Sequence, residues 1–424
     1  MTERTIAVDY LARVEGEGAL RVRIHDRTVD EVELRIFEPP RFFEALLRGR
    51  SYREAPDITA RICGICPVAY QMSSCHAMER ALGLAPPPAV RDLRRLLYCG
   101  EWVESHALHV YLLHAPDFLG VPDAIALARE HPEIVERGLK LKQVGNEIMT
   151  VLGGREIHPV NVRVGGFYRC PSREELTALR PSVERALGWA EETVRFAAGL
   201  RFPEVEEEYE FVSLRHPSEY PMNEGEIVSN RGLGIPVEKY DDEFEERQAP
   251  YTHALQSVRR GGGSYLVGPL ARFALNRDRL GPRADAIARA VGLEPVVRNP
   301  YRSVIVRSVE MVEACAEALR IIDTYRPPDR PAAEPSGPVG PATGAAATEA
   351  PRGLLYHRYR LGPNGMIVEA KIVAPTSQNQ KRIEDDLRAL VARSLDLGEA
   401  ELTGACERAI RSHDPCISCA THFL

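Results

Sequence analysis

Two Cys-x-x-Cys pairs stand near opposite ends of this chain, and they constrain its folding more than any other feature. The first is Arg61-Ile62-Cys63-Gly64-Ile65-Cys66, and the second is Asp414-Pro415-Cys416-Ile417-Ser418-Cys419-Ala420-Thr421-His422. Cys416 follows Cys63 by 353 residues. The pairs of a zinc ribbon are about 15–20 residues apart, so these two can share a metal only if the whole fold closes around it. The sequence therefore predicts a four-thiolate metal centre, with the last residues of the chain packed inside the protein.

The composition is that of a soluble globular protein. The chain has 424 residues, of which 44% are hydrophobic and 27% are charged. A net charge of −7 argues against nucleic-acid binding, which needs a basic face. No run of about 18 apolar residues occurs, and the N-terminus reads as a strand rather than a signal peptide. We therefore expect a cytoplasmic protein without direct membrane insertion.

Hydrophobic periodicity predicts the secondary structure. Residues 5–37 alternate between apolar and polar side chains, which indicates a small antiparallel sheet. A helical period predicts helices at 41–49, 67–83, 88–115, 122–137, 140–152, 172–199, 282–292, 303–325, 378–394 and 398–411. Gly362-Pro363-Asn364-Gly365, between apolar segments at 353–361 and 366–373, is typical of a hairpin. We predict a predominantly helical α+β fold, with a central helix bundle, a small N-terminal antiparallel sheet and a peripheral hairpin.

We expect residues 1–424 to form a single domain, because both cysteine pairs must converge. Its predicted parts are an N-terminal β region at 1–40, a helical core at 41–326 with irregular loops and short strands over 203–280, a Pro/Ala/Gly-rich surface loop at 327–350, and a hairpin plus C-terminal metal-binding segment at 351–424.

Four thiolates could bind zinc, an iron–sulfur cluster or nickel. Spacing alone favours a structural zinc, since such sites are common. Against zinc stand the separation of the pairs, the reactive residues beside them (Arg61, Asp414 and His422) and a site one turn from the chain end. The other cysteines (75, 99, 170, 315 and 406) are predicted to be core residues, because an odd, sparse set does not form a disulfide framework.

Over essentially its whole length the chain resembles the large, catalytic subunit of nickel–iron (NiFe) hydrogenases. The resemblance rests on six motifs in the right order: Arg-Val-Glu-Gly at 13–16, Phe43-Glu44…Arg48-Gly49-Arg50, Arg-x-Cys-x-x-Cys at 61–66, His158-Pro159-x-Asn161…Gly165-Gly166, Ala350-Pro351-Arg352-Gly353, and Asp-Pro-Cys-x-x-Cys-x-x-His at 414–422. Any one of them is weak, whereas all six together are highly specific.

This resemblance implies the ligands of a NiFe centre that carries carbonyl and cyanide groups, NiFe(CO)(CN)2. Cys63, Cys66, Cys416 and Cys419 are the implied nickel ligands, and Cys66 and Cys419 are also the implied bridges to iron. Soft thiolates suit nickel and leave an open face for a substrate. Thr376 and Pro375 are implied to contact the diatomic ligands of the iron.

It also implies roles for charged residues around that centre. Arg352 corresponds to an arginine above the open metal position, with Asp117 and Asp414 as its acidic companions. Glu15 corresponds to a glutamate that exchanges protons with a nickel thiolate, here Cys416. Each of these residues also has an ordinary structural interpretation. Arg352 would be a surface arginine, Asp117 a helix-end aspartate, Asp414 an N-cap and Glu15 a solvated turn residue.

A second metal is implied at Glu44 and His422. The resemblance assigns these two residues to a magnesium site that ties the C-terminal segment to the N-terminal part of the chain. Oxygen ligands suit magnesium, whereas the imidazole rests on the resemblance alone.

The implied reaction is the reversible heterolytic cleavage of dihydrogen to protons and electrons. The chain has no further cluster motif and no nucleotide-binding fingerprint, so we expect iron–sulfur clusters on a small-subunit partner, and flavin and NAD(P) on diaphorase partners. Glu17, and Pro67–Gln71 after the first pair, favour the cytoplasmic bidirectional, NAD(P)-linked or sulfhydrogenase-like group. The alternatives are a non-catalytic relative of a complex I subunit and a structural zinc-binding subunit of a redox assembly.

Overall fold

The structure, a computed structural model, describes residues 3–421. Its strands are β1 (Glu3–Val8), β2 (Gly18–His25), β3 (Thr28–Ile36), β4 (Val162–Arg163), β5 (Gly166–Phe167), β6 (Val212–Arg215), β7 (Glu226–Ser229), β8 (Gly234–Ile235), β9 (Phe244–Gln248), β10 (Leu255–Arg259), β11 (Ala342–Ala350), β12 (Gly353–Leu361) and β13 (Ile367–Val373).

Its helices are α1 (Phe43–Leu47), α2 (Ala55–Thr59), α3 (Pro67–Leu82), α4 (Pro88–Ala107), α5 (Ala115–Leu119), α6 (Ala124–Glu130), α7 (Pro132–Gly153), α8 (Arg173–Ala198), α9 (Tyr240–Glu243), α10 (Pro269–Asn276), α11 (Pro282–Ala290), α12 (Ser303–Thr324), α13 (Pro375–Arg393) and α14 (Glu399–Ser412). The predicted helix at 88–115 ends at Ala107, where a π-helical turn, Leu108–His114, leads into α5. Such turns interrupt helices frequently at functional sites.

Four long helices, α4, α7, α8 and α12, pack together as the central bundle. Most of α12 is buried, because α4 and α8 both pack against it. Helices α4 and α7 approach closely at two glycines: a Cβ on Gly145 would lie 2.5 Å from the carbonyl oxygen of Gly100. The bundle confirms the predicted predominantly helical α+β fold.

The N-terminal strands form the predicted antiparallel sheet, in the order β1-β2-β3. Ile6 pairs with Val22 across β1 and β2, and Leu20 pairs with Leu34 across β2 and β3. These alternate residues face one side, as the period of two requires. They pack against α13 and α14, so the sheet covers the helices that precede the second cysteine pair.

The predicted loop at 327–350 is wrong for its last nine residues. Residues 342–350 form β11, which pairs antiparallel with β12 in a buried sheet of order β11-β12-β13. The small side chains that suggested a loop are needed for packing, since a Cβ on Gly344 would lie 2.1 Å from the carbonyl oxygen of Ala77 in α3. The hairpin after it is confirmed, with β12 paired to β13.

After α14 the chain turns into the interior. Residues 413–421 are buried almost throughout. Glu15, in the break between β1 and β2, forms a parallel bridge with Cys416, and its carbonyl accepts the N–H of Ile417 at 2.9 Å. The expected burial of the terminal segment is therefore found as far as Thr421; His422 lies outside the described residues.

Candidate metal centre

The four paired cysteines converge in one enclosed space. Cys63, Cys66, Cys416 and Cys419 are between 1% and 4% exposed, and their sulfur atoms all lie within 4.8 Å of one another. Cys63 and Cys416 have sulfurs 3.6 Å apart, and so do Cys66 and Cys419. Sulfurs bound to one metal at about 2.3 Å in tetrahedral geometry are about 3.8 Å apart. The spacing between the two pairs therefore fits a compact thiolate-bound metal centre, whereas the sulfurs of Cys416 and Cys419, 2.7 Å apart, would have to separate when a metal binds.

The first pair is placed by a tight turn that leads into a helix. Cys63 is extended after the turn Ala60–Ile62, and Cys66 directly precedes α3. The backbone N–H groups of Ile65 and Cys66 both point at the sulfur of Cys63, at 3.3 Å. Hydrogen bonds to a sulfur favour its thiolate form, so the short loop prepares Cys63 as a metal ligand.

The second pair is placed by a left-handed residue and by the start of another helix. Asp414 has φ 52°, which redirects the chain after α14. The N–H of Cys416 then donates to the hydroxyl oxygen of Thr376 at 2.9 Å. Pro375 and Thr376 begin α13, so both predicted contact residues lie beside the second cysteine pair.

Burial opposes the ionisation of all four cysteines when no cation is bound. It raises the pKa of both Cys416 and Cys419. Ionising all four sulfurs in an enclosed space requires cations that offset both their mutual repulsion and the loss of solvation. The donor set is therefore complete for soft divalent metals.

Arg352 brings a positive charge to this centre. It is 3% exposed, and its Nε and Nη2 donate to the carbonyl and carboxylate of Asp414 at 2.9 and 3.0 Å. Although burial alone lowers its pKa, Asp414 and the thiolates of Cys416, Cys66 and Cys63 raise the pKa of Arg352 above its usual value. Arg352 thus remains charged close to the four paired cysteines.

Asp414 is shared between two buried arginines. Its second carboxylate oxygen lies 3.1 Å from Arg307 of α12, and Ser105 of α4 lies 3.4 Å from Arg352. Burial opposes ionisation, but the two arginines and His109 lower the pKa of Asp414. Sequence reasoning missed Arg307 and Ser105, because both lie in helical segments that read as ordinary core.

The structure does not place Asp117 with Arg352. Asp117 pairs with Arg13 at 2.6 Å and with Arg411 at 2.8 Å, and it is hydrogen-bonded to His114 at 3.0 Å. Burial by itself raises the pKa of Asp117, but His114 and Arg411 hold that pKa well below its usual range. Asp117 therefore ties the segment before Glu15 to the end of α14, and only Asp414 contacts the arginine.

Glu15 contacts the sulfur of Cys416. Its carboxylate lies 3.1 Å from that sulfur and accepts the N–H of Ser418, also at 3.1 Å. Burial raises the pKa of Glu15, and the thiolate of Cys63 acts in the same direction. A carboxyl group in this position can accept and return a proton at the sulfur.

Glu44 lies in α1, close to the C-terminal segment. Its carboxylate accepts the N–H of Ile372 at 2.7 Å, and burial raises its pKa to about 8. The N–H of Arg41 donates to the carbonyl of Thr421 at 2.8 Å. The start of α1 therefore meets the chain one residue before His422, whose own position is outside the described range.

Comparison with known proteins adds an independent finding. The family profile described as "Nickel-dependent hydrogenase" matches residues 41–137 and 238–422. Two relatives from Pyrococcus furiosus are similar over the whole chain. The alpha subunit of sulfhydrogenase 1 is 33% identical over 99% of this chain and 98% of its own. The alpha subunit of sulfhydrogenase 2 is 34% identical over 99% of each.

A solved structure has the same fold. The NAD+-reducing [NiFe]-hydrogenase in its H2-reduced state superimposes with a TM-score of 0.88, at 29% identity, over 99% of each chain. The similarity therefore extends over the sheet, the bundle and the buried terminal segment together.

Proposed function

The chain belongs to the nickel-dependent hydrogenase family, as its large, catalytic subunit, and we propose which of its residues hold the metals and move the proton. Cys63, Cys66, Cys416 and Cys419 would hold the nickel, and Cys66 and Cys419 would also hold the iron. The observation that carries this assignment is the convergence of four buried sulfurs from both ends of the chain, with a carboxylate 3.1 Å from one of them.

A bound nickel–iron centre supplies the Lewis acidity that polarises dihydrogen. Glu15 takes a proton from the sulfur of Cys416 and returns it in the reverse direction, because its carboxylate contacts that sulfur. Arg352, held by Asp414, keeps a fixed positive charge beside the thiolates. The hydroxyl of Thr376 accepts from the N–H of Cys416 and retains its own hydrogen for a cyanide of the iron.

Electrons leave through a partner subunit. Within residues 3–421 the paired cysteines are the one group of four that lies within metal-binding distance. The five other cysteines lie outside this group: four are buried (Cys75, Cys99, Cys315 and Cys406), and Cys170 is half-buried. This arrangement supports an iron–sulfur small subunit as the electron carrier. The NAD+-reducing enzyme of the same fold supports diaphorase partners with flavin and NAD(P), and hence a cytoplasmic complex.

Glu44 and His422 hold a magnesium ion in this proposal. The support for it is a buried carboxylate of raised pKa close to the chain that leads to His422. A cation would keep Glu44 ionised in surroundings that otherwise favour its protonated form.

Nickel per chain, measured on protein purified without oxygen from its native host, tests the centre. We expect about one nickel per chain in the wild type, its loss in Cys416→Ser and its retention in the control variant Cys170→Ser. Glu15→Gln should keep the nickel and lose most dihydrogen–proton exchange. Zinc without nickel in folded, partnered protein would refute the metal assignment.

The partners are tested on the same preparation. We expect copurifying subunits with iron in excess of one atom per catalytic chain, and dihydrogen-dependent reduction of NAD or NADP. If an active preparation reduces viologen dyes but neither nucleotide, the proposed nucleotide linkage is wrong, and the assignment of the metal centre stands.

In the described residues, none of the helices is both long and apolar enough to cross a bilayer.

A further inference from the structure

Two buried glutamates of α4 take no part in the roles proposed above. Glu101 is fully buried and Glu104 is 3% exposed. They are three positions apart in one helix, so their side chains leave the same face about one turn apart. Carboxylates are rarely buried unless they are paired or perform a task.

Glu101 reaches towards the metal centre. Its carboxylate accepts the N–H groups of Val68 and Ala69, at 2.6 and 3.1 Å. These residues form the first turn of α3, which begins directly after Cys66. Burial raises the pKa of Glu101 well above its usual range, and the charges of Glu104 and Cys63 act in the same direction. The N–H groups of Val68 and Ala69 act in the opposite direction, and burial is the larger influence, so the surroundings favour the protonated form of Glu101.

Glu104 reaches towards the surface. Its carboxylate lies 2.7 Å from the ammonium group of Lys142 on α7. The contact depends on the close approach of α4 and α7 at Gly100 and Gly145. Burial raises the pKa of Glu104, while Lys142 and, to a smaller extent, Arg352 lower it.

Lys142 opens onto water. Its side chain is 33% exposed and lines a surface groove of about 490 Å³. The polar residues Gln143, Asn146, Glu147, Thr150 and Glu156 share that groove. Two buried carboxylates one helical turn apart thus lie between the first turn of α3 and the groove at Lys142.

We propose that Glu101 and Glu104 form a second proton path between the metal centre and solvent, separate from Glu15 and ending in the groove at Lys142. The proposal rests on the proposed function, because only a reaction that produces or consumes protons gives such a path a purpose. A structural ion pair explains Glu104 with Lys142, and capping of the first turn of α3 explains the N–H contacts of Glu101. Proton exchange is therefore the measurement that separates the path from these structural roles.

Each transfer along this path conserves the number of protons. For a proton leaving the centre, Glu101 gives its proton to ionised Glu104 and takes one from the metal side. Glu104 then releases a proton to water in the groove, and Lys142 favours the return of Glu104 to its ionised form. One proton enters the path and one leaves it, and no electron moves.

The test uses the assembled native enzyme with Glu15→Gln as the parent, so that the first path is blocked. The measurement is exchange of D2 with solvent protons per nickel. We expect the parent to retain measurable exchange. Adding Glu104→Gln should lower it by about tenfold or more, a modest share of what one acid–base group contributes. Glu136→Gln, on the same helix as Lys142 but outside the groove, is the matched control and should change nothing.

Glu101→Gln is the second variant. Its amide oxygen can still accept the N–H groups of Val68 and Ala69, so folding is preserved while proton transfer is lost. The path is refuted if the nickel-loaded parent shows no exchange, or if Glu101→Gln and Glu104→Gln both leave the exchange of the parent within twofold. Absence of exchange in nickel-loaded wild type would instead overturn the proposed function, and the path with it.

Discussion

Arg272 offers the sharpest test of how this fold holds Arg352, the arginine close to the four paired cysteines. The side chain is fully buried and donates to Glu310 at 2.8 and 2.9 Å and to Glu349 at 3.0 Å. It also donates to the carbonyls of Ala350 and Pro351, at 2.6 and 2.9 Å, and lies 4.4 Å from the ring centre of Trp102. The two residues directly before Arg352 are therefore clamped by one guanidinium group.

Replacing Arg272 by methionine should destabilise the protein by about 3–5 kcal/mol, since it leaves two buried carboxylates uncompensated. Unfolding entropy is about 2.1 cal/mol/K per residue, or about 0.9 kcal/mol/K for this chain length. The midpoint of thermal unfolding should therefore fall by about 3–6 °C. Burial already raises the pKa of Glu349 to about 7 despite Arg272, so part of the cost is relieved by proton uptake. The loss should therefore be smaller at pH 6 than at pH 8.

The assay is calorimetry of the purified complex at one scan rate, with nickel content measured in parallel. Arg283→Met is the matched control, because Arg283 is 56% exposed and forms a surface ion pair with Glu191. Such pairs contribute about 0–1 kcal/mol, which here is about 1 °C or less. The reasoning is refuted if the two variants shift the midpoint equally. Nickel-normalised turnover should also fall in Arg272→Met, because Arg352 loses its anchor.

Three further tests concern other parts of the fold. Gly145→Ala should destabilise the protein by about 1–3 kcal/mol in denaturant titrations, since the added Cβ would lie 2.5 Å from a carbonyl oxygen of α4. Gly188→Ala, in α8 with nothing within 4 Å, should instead stabilise it by about 0.5–1 kcal/mol through helix propensity. Burial raises the pKa of Glu313 to about 7, so its protonated form stabilises the fold at low pH and that contribution is lost as the pH rises from about 4.5 through 7. The free energy of unfolding of Glu313→Gln should therefore be close to that of the wild type near pH 4.5 and exceed it at pH 8 by up to about 3 kcal/mol. Asp117→Asn should lower the thermal midpoint through its two broken ion pairs, with a much smaller loss of nickel-normalised turnover than Arg352→Lys.

Each of these expectations has a contrary result. Equal effects of alanine at positions 145 and 188 would mean that the two central helices separate without cost. A Glu313→Gln variant that is less stable than the wild type at pH 8 would show that the fold favours the ionised carboxyl, so that the pKa of Glu313 is not raised. Loss of turnover in Asp117→Asn as large as that in Arg352→Lys would place Asp117 in the reaction.

The sequence was most informative where chemistry depends on local order. The two cysteine pairs, the helical periods and the alternation of 5–37 are short-range patterns, and the structure confirms the four-sulfur centre, the main helices and the N-terminal sheet. The contact of Glu15 with Cys416 was also expected, although only through the family resemblance.

Misleading composition explains the main error in secondary structure. Residues 342–350 are rich in alanine and glycine, which favours a loop when read locally. In the fold, small side chains are what allow β11 to lie against α3, because Gly344 has no room for a Cβ beside the carbonyl of Ala77. A strand chosen by close packing has no signature in its own propensities.

The sequence by itself determined the donor set, because four thiolates and their neighbouring charges are properties of residue types in order, whereas the choice among zinc, iron–sulfur and nickel depended on the family resemblance. Tertiary structure alone decided which carboxylate pairs with which arginine. Asp414 pairs with Arg352 and Arg307, whereas Asp117 pairs with Arg13 and Arg411. Residues far apart in the chain become partners only when helices pack, and their burial then sets the strength of each charge pair, which no local pattern encodes.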